Sequence, residues 1–572
     1  MAAIAQPSGP ARMWRVWAVM TVMAMVALAV VVRLVLLQVS DHQTFSALAQ
    51  VGQNQIVDLE PWRGLIFDRD GIALAVNEVE YEITAAPEMI TSTYQVGDRL
   101  APLLERPRAE IQATLEEAQA AEVKWLMLAR RVPKPIGEAI QSLTLSGVQV
   151  RAVQRRRYPQ GPLAAHNLGF VADNGLGYYG VEAYFQTELA GEHVQNEEPL
   201  SPLDAIVSPQ PRPGADLILT IDREAQFATE QTLAQALADS GARSGTIIVM
   251  NPRTGAILAL ATLPGYDPNE APATSDDPRR VNPAISSQYE PGSVFKILTM
   301  ALALEHGVVT PQTTYVDTGA IEVGGAIIRN WDGGSWGVQD MTGLLAHSLN
   351  VGAATLTTWL GPERFYSGLQ AFYVGQRLGV DMAGEAGGRL KLPGDEDWHE
   401  SDLGTNAYGQ GVAVTPLQMI SAVSAVANDG VLMQPHVVAA VVRGGVRQER
   451  QPVPLGRPIS PATARTLTEM LTTAIAREVG NADVPGYSVA GKTGTASIVR
   501  EGGFYDPEAT IASFIGYLPA DDPRLLILVK IDEPASAPWG SVVAAPVFAE
   551  LAQKLVVLLE IPPDDVRVRL GN

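Results

Sequence analysis

The chain has no cysteine, which excludes disulfide staples, thiolate zinc sites and thiol nucleophiles. Its seven histidines are scattered, with no HExxH or comparable cluster, so a histidine-built catalytic metal centre has no ligands to draw on. Lysine is scarce too: 7 of the 41 basic residues, the other 34 being arginine. Each lysine position therefore carries more information than usual. No basic stripe offsets a formal net charge of −21, and the phosphates of a nucleic acid would be repelled by most of such a surface. What the chain does have is the composition of a folded protein, 47% hydrophobic and 18% charged over 572 residues. That length exceeds one ordinary core and implies two or more domains.

One apolar run stands out. From Trp14 to Val32 the sequence WRVWAVMTVMAMVALAVVV carries a single charge, Arg15. At about 1.5 Å per residue it reaches across most of a ~30 Å hydrocarbon layer. The reading is a transmembrane helix over 13–39 behind a cytoplasmic tail, 1–12. Arg12 and Arg15 at its start keep the N-terminus in the cytoplasm and send the bulk of the chain outside, and Arg33 at the far end can snorkel. Ala47-Leu48-Ala49 resembles a signal-peptidase site, but the apolar run is too long and too distant from it for a cleaved signal.

Beyond the span, residues 40–225 alternate short apolar stretches with turn signals and include a helix near 108–128. The proline-rich segment 201–222 reads as a boundary leading into a strand. From 226 the pattern changes. Residues 226–240 have helical spacing, 245–262 read as two strands about a turn, and 293–306 form an apolar helix stopped by Gly307. A helix at 461–477, strands at 513–519 and 524–532, and a closing helix from about Ala545 to Leu559 complete an α/β (α+β) domain at 226–562, followed by a tail, 563–572.

The helix at 293 opens with YEPGSVFKIL. On a helix, positions i and i+3 share a face, so Lys296 can fold back onto Ser293. A serine hydroxyl needs such a base to act as a nucleophile at neutral pH, and a lysine serves only if burial or a second cation lowers its pKa. The bland alternative is a serine capping a core helix. Two more motifs shift the balance. Ser293–Lys296 is the chain's single SxxK, Ser348-Leu349-Asn350 its single SxN, 55 residues on, and Lys492-Thr493-Gly494 its single K-[ST]-G, 144 residues further. Each is weak alone; together and in this order they form a set known from serine enzymes that react with penicillin.

On these motifs, and on YGQGVAVTPLQM (408–419), VAGKTGTA (489–496), RGLIFDRDGIALA (63–75), YPQGPLAAHNLGFV (158–171) and GYYGVE (177–182), the chain resembles the class B penicillin-binding proteins over nearly its whole length. Val294 departs from the usual threonine and Asp70 from a common asparagine; neither is a catalytic position. The resemblance implies a penicillin-binding protein/β-lactamase type fold carried on an elongated pedestal, 40–225, behind a single transmembrane helix. It implies a D,D-transpeptidase that cross-links peptidoglycan stem peptides, is acylated by β-lactams and needs no cofactor or metal. By the same resemblance Ser293 attacks the substrate carbonyl and Lys296 takes its proton. Ser348 relays a proton to the leaving amine, and Asn350 holds Lys296 or the substrate. Lys492 supplies positive charge, Thr493, Gly494 and Thr495 line the substrate strand, and the backbone N–H groups of Ser293 and Thr495 form the oxyanion hole. Its implied partners are a membrane-embedded shape/division-type glycosyltransferase and other division or elongation proteins.

Rival readings exist. GYSVAGKT (486–493) satisfies the Walker A pattern, with LLILVKID downstream as its second strand. A P-loop must follow an apolar strand and open a helix, whereas here a turn-like stretch precedes it and Gly494 sits where the helix should begin. A β-lactamase would need a base for deacylation, and no ExxxN follows Ser348 in the expected interval. A catalytically silent scaffold on the same fold is the remaining alternative. Of the other residues, Arg63 and Glu182 either pair across the pedestal or make independent contacts. His347 suits a packing role, Asn330-Trp331-Asp332 suits groove lining or a surface turn equally, and Arg155–Arg157 reads as a solvated charge run.

Overall fold

The computed structural model describes residues 13–35, 54–59, 61–192, 194–199, 212–270, 277–499 and 504–570. The expected tail 1–12, residues 36–39 of the span, Ala47–Ala49, the proline-rich 201–211 and the final residues 571–572 lie outside them. The chain divides into two compact units, one of residues 1–61 with 192–212 and one of 62–191 with 213–572. The first contains helix α1, Met13–Val35, apolar all round and exposed along its length, and an antiparallel pair of strands, Asn54–Leu59 with Val194–Pro199. At about 1.5 Å per residue α1 exceeds a ~30 Å hydrocarbon layer, and an all-round apolar helix without a protein partner is suited to lipid.

The second unit holds two principal sheets. One has seven strands: Val446–Glu449, Val438–Arg443, Asp216–Leu219, Ile66–Phe67, Ala73–Ala85 and Leu126–Pro133 in order, with Val148–Arg157 also paired to Ala73–Ala85. It draws strands from both sides of residue 225. The helix expected over 108–128 ends earlier, at Ala120, because Glu122 turns left-handed (φ 52°) and the chain re-enters the sheet at Leu126.

Strand alternation corrects the solvated reading of Arg155–Arg157 at its middle residue, while Arg157 is exposed as expected. Successive residues of Val148–Arg157 point to opposite faces, which turns Arg156 inward, its side chain 2% exposed. Arg156 Nε donates to Glu182 Oε1 at 2.7 Å, and Arg63 donates to Glu182 Oε2 from Nε (2.8 Å) and Nη2 (2.6 Å). Arg63 and Glu182 thus pair, with Arg156 as a third member. Burial opposes ionisation of Glu182, but Arg156 and Arg63 outweigh it and hold the carboxyl below its usual range. Arg155, on the other face, pairs at the surface with Asp173.

The second sheet organises the rest. Helix α2 (Arg223–Ser240), capped by Asp222, leads into strands β1 (Ser244–Met250) and β2 (Ile257–Leu263). The helices α3 (Lys296–Glu305), α4 (Asn350–Leu360) and α5 (Pro461–Glu478) follow. Strands β3 (Ala490–Val499), β4 (Tyr505–Leu518) and β5 (Leu525–Asp532) and helix α6 (Gly540–Leu558) close the domain. The sheet order is β2-β1-β5-β4-β3, antiparallel throughout, so the strict class is α+β. Strand β5 shows why the sheet is a middle layer. Leu525, Ile527, Val529 and Ile531 pack in one core with Leu233 of α2 and Phe548 of α6. Leu526 and Leu528 join a core on the other side that includes Leu298 and Met300. Each such buried side chain contributes roughly 1.5–3 kcal/mol. Helix α6 begins at Gly540, before the expected Ala545, and carries Pro546 inside it; it is apolar enough to span a bilayer, yet half of that stretch is buried in this core.

Candidate active site

Ser293 lies in a 3₁₀ turn, Gly292–Phe295, that runs directly into α3. The sequence reading placed it in the first turn of an α-helix; the tighter winding aligns i with i+3 more closely, because three residues complete a turn. Lys296 Nζ accordingly sits 3.0 Å from Ser293 Oγ. Glycine makes this turn possible. Gly292 has φ +59°, and a Cβ there would stand 2.7 Å from Thr495 O; a Cβ on Gly494 would stand 2.9 Å from Val294 Cγ1. The nucleophile turn is thus pressed against β3 with no space for a side chain between them.

The SxN motif arrives from a separate corner. Ser348 adopts φ +58° between the short helix Met341–Ala346 and α4, a left-handed conformation that costs a non-glycine residue about 1–3 kcal/mol. Lys296 Nζ reaches Ser348 O at 2.7 Å, Ser348 Oγ at 3.2 Å and Asn350 Oδ1 at 2.7 Å. The inventory of donors and acceptors decides what this cage does. Ser348 O and Asn350 Oδ1 can only accept, so Lys296 Nζ donates to both, and once the amine is neutral these two bonds take up its N–H groups. Its lone pair then faces the hydroxyls of Ser293 and Ser348.

Lys492 lies in β3, the edge strand, opposite Ile515 of β4. Its Nζ is 3.3 Å from Thr493 O and 3.4 Å from Thr493 Oγ1. Gly540 N–H donates to Thr495 Oγ1 at 3.1 Å, tying α6 to the same strand. Both lysines are buried, Lys296 1% and Lys492 3% exposed. Burial first, and the charge of Lys492 second, hold Lys296 well below the ordinary lysine range; burial brings Lys492 down to about 7.

All three motifs therefore meet: the SxxK turn touches the SxN corner through Lys296 and β3 through Gly292, and the charge of Lys492 is felt at Lys296. The structure agrees with the rejection of a P-loop at 486–493: Lys492 stands within an antiparallel strand, no helix opens after it, and LLILVKID is the central strand β5. His347 packs its ring on Trp336 (centroids 4.3 Å, 23° between planes), with Nδ1 3.5 Å from Glu478 Oε1. Asn330-Trp331-Asp332 is not a plain surface turn, since Asn330 is 4% exposed while Trp331 is 54% exposed. Sequence reasoning missed Tyr408, whose ring centroid lies 5.9 Å from Lys296 Nζ; its place in YGQGVAVTPLQM was the available signal. Among the described residues no His, Asp and Glu cluster could hold a metal ion.

Comparison with known proteins agrees with this geometry. Residues 245–553 match the penicillin binding protein transpeptidase domain, and 58–218 match the penicillin-binding protein dimerisation domain. The chain is 32% identical over 544 residues to stage V sporulation protein D of Bacillus subtilis, covering 93% of this chain and 83% of that one. It is 31% identical over 545 residues to the probable peptidoglycan D,D-transpeptidase PbpC of Pseudomonas aeruginosa, covering 94% and 93%. The crystal structure of penicillin binding protein 3 from Mycobacterium tuberculosis complexed with aztreonam superposes with a TM-score of 0.69 at 30% identity, over 89% of this chain and 98% of that one. Penicillin binding protein 2X from Streptococcus thermophilus shares the fold, with a TM-score of 0.75 at 21% identity over 88% and 80%. By its sequence, its two matched domains and its fold, the chain belongs to the penicillin-binding protein transpeptidase family, as one of the class B members.

Proposed function

We propose that this chain, a serine-type D,D-transpeptidase by family, works through Ser293, Lys296, Ser348, Asn350 and Lys492 on peptidoglycan stem peptides. The observation that carries the assignment of roles is the cage around Lys296 Nζ, which two accepting oxygens hold within hydrogen-bond reach of the hydroxyls of Ser293 and Ser348.

In the first half-reaction Ser293 Oγ attacks the carbonyl of the penultimate D-alanine while its proton passes to Lys296 Nζ. The charge that develops on the carbonyl oxygen is met by the backbone N–H groups of Ser293 and Thr495, where one donor is worth about 3 kcal/mol. As the C–N bond breaks, the proton moves from Lys296 through Ser348 Oγ to the departing D-alanine amine. An ester on Ser293 remains. Asn350 Oδ1 keeps Lys296 aimed throughout. Lys492 meets the terminal carboxylate with Thr493 and Thr495, and that anion raises the amine's proton affinity in the complex. The stem peptide lies extended along β3, the edge strand of its sheet, by strand addition. In the second half-reaction the amine of a neighbouring stem attacks the ester carbonyl and yields a proton to Lys296; the ester C–O bond breaks, Lys296 returns that proton to Ser293 Oγ, and the new amide is the cross-link. A β-lactam enters by the first half-reaction and stays as the ester.

The apolar α1 supports anchoring in the cell membrane, and Arg12 and Arg15 at its start support a cytoplasmic N-terminus with the catalytic domain outside. Family membership supports a separate membrane-embedded shape/division-type glycosyltransferase as the source of glycan strands, together with other division or elongation proteins. The proposed domain limits are a span at 13–39, a pedestal at 40–225 and a transpeptidase domain at 226–562, the last two overlapping the matched 58–218 and 245–553. The test is release of D-alanine from a pentapeptide-bearing glycan with formation of cross-linked dimers. Wild type should give both products and Ser293→Ala neither; dimers formed by the variant would refute the assignment.

A further inference from the structure

Helix α4 starts at Asn350 with Leu349 in its N-cap position, and Leu349 has no side-chain atom to cap it. The first N–H groups of a helix need partners from elsewhere. Here one is supplied from 21 residues away: Asn330 Oδ1 accepts Val351 N–H at 3.1 Å. Asn330 is itself held, its Nδ2 donating to Asp317 Oδ1 at 2.8 Å and to Gly334 O at 3.1 Å. Asp317 is 1% exposed and its Oδ1 also accepts from Gly319 N–H at 2.9 Å. These partners fix the amide's orientation, because turning it over would set two donors together at Val351 and two acceptors together at Asp317.

The residues on either side of Asn330 grip the same corner. Arg329 O accepts Asn350 Nδ2 at 3.1 Å, and Trp331 Nε1 donates to His347 O at 3.1 Å. Three consecutive residues thus bind residues 350, 351 and 347 and bracket Ser348, whose left-handed backbone needs support to persist. Trp331 then meets the ring of Trp539 edge-on, centroids 5.3 Å apart. Trp539 precedes Gly540, whose N–H bonds Thr495 Oγ1. One segment therefore spans from the Ser348 wall of the cleft to the β3 wall.

We propose that Arg329-Asn330-Trp331, seated on Asp317, is a positioning clasp that sets Ser348 and Asn350 against Lys296 and registers that corner with β3. It rests on the roles proposed above for Ser348 and Asn350. Asn330 and Asp317 touch no reacting atom; they are positioning residues, and their loss slows acylation by misplacing the cage around the lysine amine.

The experiment measures acylation of the detergent-solubilised full chain by a fluorescent penicillin, counting only protein that can be labelled. Asn330→Ala should slow acylation of the bound drug about 100-fold, the scale of a misplacement near 1 Å, with half-saturation little changed. It should also displace the acid limb of the pH–rate profile, since Lys296 loses fixed acceptors. Trp331→Phe removes one hydrogen bond while keeping the ring, and should cost about fivefold if Asn330→Ala fails to fold. A merely structural role would lower the labelled fraction and the melting temperature but leave rate and pH profile unchanged, and that result would overturn the clasp. If Ser348→Ala and Asn350→Ala also acylate at the wild-type rate, the roles proposed for them fall instead.

Discussion

Lys296 and Lys492 are both buried, 1% and 3% exposed, the charge of Lys492 acts on Lys296, and among the described residues neither pairs with a carboxylate. An amine in that position pays for its charge in lost hydration, so both give up protons more easily than a surface lysine does.

For Lys492 the consequence is a pH dependence of stability. In the unfolded chain a lysine titrates near 10.4; folded, Lys492 titrates at about 7. Between those values the unfolded state binds more protons, so stability rises with pH by up to about 1.4 kcal/mol per unit from this group and is flat below the window. Urea midpoints at pH 7.5 and 9 should increase more in wild type than in Lys492→Met. Parallel changes in the two proteins would show that Lys492 stays charged when folded.

Gly292 makes a steric prediction. Alanine there must adopt φ +59° and push against Thr495 O, so Gly292→Ala should lose about 1–3 kcal/mol of stability and acylate about 100-fold more slowly. Melting temperature and penicillin-labelling rate check both. A rate within twofold of wild type would mean the turn and β3 have slack that the packing denies.

The pedestal offers a contrast between buried and exposed charge. Glu182→Gln leaves Arg63 and Arg156 facing a neutral amide in the interior and should destabilise by about 3–5 kcal/mol. Arg155→Ala removes two solvent-accessible pairs, with Asp173 and Glu80, and should cost about 1 kcal/mol. Denaturant titration of both variants decides the matter, and equal small losses would show that water reaches Glu182.

The three motifs were legible in the sequence because acyl transfer demands particular residue types, and the SxxK, SxN and K-[ST]-G patterns each occur once in the chain. The sheet and its helices were legible from periodicity, since β5 and α6 bury apolar residues in regular patterns. What was not legible depends on partners remote in sequence. Arg156 reads as one of three surface arginines until strand alternation turns it onto Glu182. Asn330 reads as a turn residue until Val351 N–H is found above it. The 3₁₀ winding at Ser293 is set by the press of β3 against Gly292, which no local propensity records.

The most direct measurement is the site of a penicillin adduct, mapped by mass spectrometry on the intact and digested protein. The account predicts one stable ester, on the peptide containing Ser293, and no adduct in Ser293→Ala. An adduct on another residue, or labelling that survives the substitution, would contradict it.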